Sequence, residues 1–88
     1  MDLLKISVPR INVQNKGNLL AFADVEINEC VKINGFSVIK GKNGAFVSVP
    51  QHKDNKTGKW YNDVYFSRKA DYETLQKTVL SAYEDATK

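Results

Sequence analysis

Val38-Ile39-Lys40-Gly41-Lys42-Asn43-Gly44-Ala45-Phe46-Val47-Ser48-Val49-Pro50 places two apolar runs on either side of a Gly/Asn/Lys centre. Asn43 and Gly44 both tolerate positive φ at little cost, so they suit a tight hairpin turn. The stretch reads as the central hairpin of an antiparallel sheet. Lys40 and Lys42 ride at its tip, within reach of a partner, and the second arm, residues 45–49, is stopped by Pro50.

Upstream, Leu4, Ile6 and Val8 alternate with Lys5, Ser7 and Pro9, the period-two pattern of a strand that Pro9 either ends or confines to a sheet edge. Asn15-Lys16-Gly17-Asn18 is a turn signal. Leu19, Ala21, Ala23, Val25 and Ile27 then define one face of a second strand, and Asn28-Glu29 turns the chain. Val31 and Ile33 open a third strand in one phase whereas Phe36 and Val38 continue in the other, which calls for a β-bulge at Gly35.

Downstream, residues 51–59 are polar throughout and read as a long, mobile loop carrying three lysines. Residues 60–66 are aromatic and β-prone, a fifth strand with Trp60, Asn62, Val64 and Phe66 opposite Tyr61, Asp63 and Tyr65. Tyr72, Leu75, Val79, Ala82, Tyr83 and Ala86 recur at helical spacing, with Glu73, Gln76, Lys77, Ser81 and Glu84 on the other side and Ser67 or Asp71 as the cap. The expected fold is α+β: one domain over residues 1–88, a five-stranded antiparallel β-sheet with one C-terminal α-helix.

Five strands about 4.8 Å apart are wider than one helix about 10 Å across, so half of the apolar face would stay bare. A second copy of the chain covers it most simply, joined by sheet edges or exchanged helices, and a homodimer is expected.

Charge and composition narrow the function. Of 88 residues 42% are hydrophobic and 26% charged, as in ordinary globular proteins. Cys30 is the single cysteine, so there is no internal disulfide and no thiol pair for zinc. Met1-Asp2-Leu3-Leu4-Lys5 lacks the basic flank and apolar run of a secretory signal, and no segment approaches about 20 apolar residues. A cytoplasmic protein without a membrane partner is expected.

The net charge of +3 is unevenly spread: residues 1–39 balance four basic against four acidic side chains, residues 40–69 hold seven against two, and residues 70–88 two against four. The excess consists of Lys40, Lys42, Lys53, Lys56, Lys59, Arg68 and Lys69, which are the candidate nucleic-acid-binding residues. Trp60 or Tyr61 offers a ring to stack on an unpaired base, although the bulk of Trp60 argues first for the core.

No catalytic constellation stands out. His52 is the only histidine and lies in the polar segment; Cys30 reads as a small buried thiol and His52 as a solvated imidazole. Asp24 and Glu26 share a strand face without an apolar pocket to make an acid-base pair. Gly41-Lys42-Asn43-Gly44 opens onto a strand, unlike a phosphate-binding loop before a helix. No enzyme activity, cofactor or small-molecule substrate is expected.

Leu19-Leu20-Ala21-Phe22-Ala23-Asp24-Val25, the Gly-x-Asn-Gly-x-Phe-Val-x-x-Pro run from Gly41 to Pro50, Tyr61-Asn62-Asp63-Val64 and Thr78-Val79-Leu80-Ser81-Ala82-Tyr83 together resemble the stage V sporulation protein G (SpoVG) family. The resemblance implies a small antiparallel sheet with a C-terminal helix, a dimer, and a bacterial regulator of septation and sporulation that binds DNA and, in some members, RNA. The chain departs from the family in carrying Tyr72 and Thr74 where members often have Arg and Lys, and Phe66 near the place of a proline. The competing reading is a dimeric protein-interaction module that binds no nucleic acid and recruits partners by strand addition.

Overall fold

The computed structural model describes residues 4–88; the signal-peptide reading of residues 1–3 lies outside them. In chain order come β1 (Ile6–Lys16), β2 (Leu19–Ile27), β3 (Val31–Gly41), β4 (Gly44–Ser48), β5 (Gln51–Lys53), β6 (Trp60–Asn62) and α1 (Lys69–Ala86). The first four form an antiparallel meander in the order β1-β2-β3-β4, and β5 and β6 form a separate two-stranded ribbon. The expected five-stranded sheet is thus corrected to four strands plus a ribbon. Residues 60–66 hold strand geometry only to Asn62 because Val64 and Phe66 turn aside to pack on the core.

The core lies between the sheet and α1. Ala21, Ala23 and Val25 from β2, Phe36 and Val38 from β3, Val47 from β4 and Leu75 and Val79 from α1 are buried, joined by Val49. Each of the larger side chains contributes roughly 1.5–3 kcal/mol by leaving water. The α1 helix packs most extensively against the two outer strands, β1 and β4, so it spans the sheet from margin to margin. The uncovered apolar surface falls on the far face: Phe22 and Phe46 are 42% and 46% exposed there, beside half-buried Leu19 and Ile39.

The phase slip in β3 resolves as expected. Ala23 pairs with Phe36 and Val25 with Ile33, leaving Asn34 and Gly35 opposite Asp24, with Gly35 at φ +94°. Pro9 lies in edge strand β1 at a second register shift, between Ser7 and Arg10; it confines the strand to the edge and does not end it.

The central hairpin turns one residue earlier than its sequence suggests. Gly41 pairs with Gly44, Lys42 and Asn43 form the turn, and of Asn43 and Gly44 only the glycine takes positive φ, +118°. At the start of α1 neither Ser67 nor Asp71 caps. Arg68 occupies the cap position with extended backbone, and its Nε donates to Asp71 Oδ2 at 2.6 Å. Among the described residues no helix is long and apolar enough to cross a membrane.

Candidate nucleic-acid interface

All seven candidate cations are exposed. They divide among three places. Lys40 and Lys42 sit at the β3–β4 tip, where the Lys40 N–H donates to Asn18 O at 2.8 Å and so ties this tip to the β1–β2 turn. Since β4 runs away from that tip, the ribbon that follows Pro50 leaves from the other end of the strand. Lys53, Lys56 and Lys59 belong to this ribbon, and Arg68 and Lys69 start α1.

The segment expected to be a mobile loop is an ordered projection. Gln51 pairs with Asn62, His52 with Tyr61 and Lys53 with Trp60. The turn beyond is drawn together by Asp54, whose Oδ1 accepts the Lys56 N–H at 2.9 Å and whose Oδ2 accepts the Thr57 hydroxyl at 3.2 Å, while the Gly58 N–H donates to Asp54 O. An aspartate closing its own turn in this way fixes where Lys56 and Lys59 are presented. The ribbon packs against neither the sheet nor α1, so both of its faces meet solvent.

That isolation corrects the reading of Trp60. It is 64% exposed, for a two-stranded ribbon has no core to receive it. Cys30 is likewise exposed in the β2–β3 turn rather than buried, its Sγ 3.6 Å from Ile27 O. His52 is solvated as expected, but its Nδ1 lies 2.5 Å from Asp63 Oδ1 and its ring 6.0 Å from that of Tyr61. Cys30 and His52 therefore have separate partners.

Sequence reasoning missed a groove of about 370 Å³ between β4 and residues 62–66. Gln51 and Asn62 close its ribbon end and are joined by a 2.7 Å hydrogen bond; Phe46, Tyr65 and Tyr72 supply aromatic walls. Tyr65 is 73% exposed. Phe66 meets Tyr72 edge-on with ring centroids 6.3 Å apart, which places the Arg68 and Lys69 end of α1 beside the groove. The density of aromatic residues next to the basic third of the chain was the available signal.

Beneath the groove, Gln76 closes the outer edge of β4. Its Oε1 accepts the Val47 N–H and its Nε2 donates to Val47 O, both at 2.8 Å. Expected on the outer side of α1, Gln76 instead reaches the strand and occupies the position that an added strand would need.

Comparison with known proteins finds relatives of this sequence among septation proteins. The chain is 29% identical over 85 residues to the protein named as septation protein SpoVG in Borreliella afzelii, covering 94% of this chain and 86% of that one. Its counterpart in Symbiobacterium thermophilum is 33% identical over 86 residues, covering 97% of this chain and 61% of the other. In Treponema denticola the figures are 26% over 84 residues, 96% and 87%. With the SpoVG family model matching residues 1–85, nearly the full length over which these strands and the helix are laid out, the chain belongs to the SpoVG family.

Proposed function

We propose that this chain is a cytoplasmic nucleic-acid-binding regulatory protein of the septation and sporulation type, acting as a homodimer and holding the phosphate backbone of DNA, and of RNA, through its basic hairpins. The observation that carries the reading is the ribbon, which holds Lys53, Lys56 and Lys59 away from the body with every one of them exposed. Carboxylates nearby are engaged within the chain: Asp54 closes the turn, Asp63 meets His52, and Asp71 meets Arg68. Lysine contacts to phosphate are largely independent of sequence, so binding falls steeply with salt. A dimer doubles the cationic surface and engages two stretches of backbone at once. The far-face cluster of Leu19, Phe22 and Ile39 gives a second copy an apolar surface to cover.

The rival interaction module is weakened at β4, where Gln76 blocks strand addition at Val47. Gel-shift or anisotropy measurements with DNA and RNA at about 50 and 200 mM salt separate the two readings. Replacing Lys40, Lys42, Lys53 and Lys56 by Glu abolishes retention while the circular dichroism spectrum is kept. Unchanged binding by that variant discards the proposal, as does a single copy in sedimentation equilibrium for the dimer.

A further inference from the structure

Register places Lys53 and Trp60 side by side on one face of the ribbon, with Gln51 and Asn62 next along that same face. Gln51 and Asn62 are also the ribbon end of the groove. A continuous track therefore runs from the Trp60 indole, over the Gln51 and Asn62 amides, to the rings of Tyr65, Phe46 and Tyr72. His52 and Tyr61 share the opposite face of the ribbon, their rings 6.0 Å apart, and His52 Nδ1 bonds Asp63 Oδ1.

Resting on the proposed nucleic-acid reading, we infer that this track is a binding site for single-stranded nucleic acid, with Trp60 stacking on an unpaired base. Flat exposed rings beside a lysine fit a ligand that carries both aromatic planes and negative charge. Every nucleobase has such a plane, and Lys53 lies where a phosphate next to the stacked base would pass. The Gln51 and Asn62 amides, each with donor and acceptor groups, offer hydrogen bonds to base edges between the two aromatic zones. A duplex keeps its bases stacked on one another, so it engages the lysines without covering Trp60.

Trp60 is the one tryptophan of the chain, so its emission reports directly on stacking. Labelled oligothymidylate, oligouridylate and a DNA duplex of the same length are titrated at about 50 mM salt, following label anisotropy and Trp60 emission together. Single strands quench Trp60 and the duplex does not. Trp60→Ala, at a side chain that is mostly exposed, keeps its fold and weakens single-strand binding about tenfold or more, leaving the duplex within twofold. The two single strands differ in the 2′-hydroxyl and in the 5-methyl group of the base, and quenching by either supports the inference. If the strands bind while emission stays constant, if the duplex quenches equally, or if Trp60→Ala binds like the parent, the inference is overturned and backbone binding stands. Unchanged anisotropy with all three probes overturns both.

Discussion

Gly35 shows how a single residue can settle the register of a strand. Val31 and Ile33 share one phase and Phe36 and Val38 the other, and only an extra residue between them keeps Ile33 against the core while Phe36 and Val38 are buried within it. Glycine takes that place because the backbone there has φ +94°, where a Cβ is strained even though Pro50 carbons at 3.8 and 3.9 Å leave ordinary space for it. Gly35→Ala therefore loses about 1–2 kcal/mol, read as a lower denaturant midpoint at unchanged slope. A loss well below this would mean the bulge shifts to another residue. Trp60 marks the limit of residue-scale reading. An indole favours a core when one is within reach, and nothing in its own identity tells that its strand belongs to a ribbon with no core.

Elements with a buried face were legible from their apolar periods, and β6 from its aromatic residues, whereas β5 offered neither signal. Ala21, Ala23 and Val25 in β2, and Leu75 and Val79 in α1, carry their periods in apolar side chains because one side of each element is dry. Gln51-His52-Lys53 has no dry side, so its strand character rests on backbone pairing with β6 and leaves no alternation to read. Gln76 falls on the polar side of the helical pattern, and polarity alone does not distinguish a side chain in water from one bonded to a strand edge. Its two 2.8 Å bonds to Val47 pin α1 to β4 and satisfy edge groups that would otherwise be open. Each such bond is worth about 0.5–1.5 kcal/mol net. Gln76→Ala is expected to lower stability by about 1–2 kcal/mol in chemical denaturation. It also exposes the β4 edge, seen as increased self-association by light scattering. Loss of stability without added association would show that the neighbouring residues 62–66 shield the edge unaided.

At the scale of the molecule, the buried core and the exposed ribbon occupy different parts of the chain. The sheet, Val49 just beyond β4 and α1 hold the buried residues, whereas the ribbon contributes none of them and packs against neither the sheet nor α1. Gln51 and Asn62 are register partners at the foot of the ribbon, so a two-residue Asn-Gly turn has the span to join them in place of residues 52–61. This replacement removes Lys53, Lys56, Lys59 and Trp60 together and leaves the apolar core unaltered. Helical circular dichroism is then kept and the melting temperature moves by only a few degrees, in line with about 1 kcal/mol or less of lost stability. Nucleic-acid affinity falls, and the dependence of log K on log salt becomes shallower by about 0.7–0.9 for each phosphate contact removed, roughly 2–3 in all if each of the three lysines makes one. Collapse of the fold would make the ribbon part of the folding unit. An unchanged salt slope in a folded variant would move the contacts to Lys40 and Lys42 at the opposite end of β4, or to Arg68 and Lys69 at the start of α1.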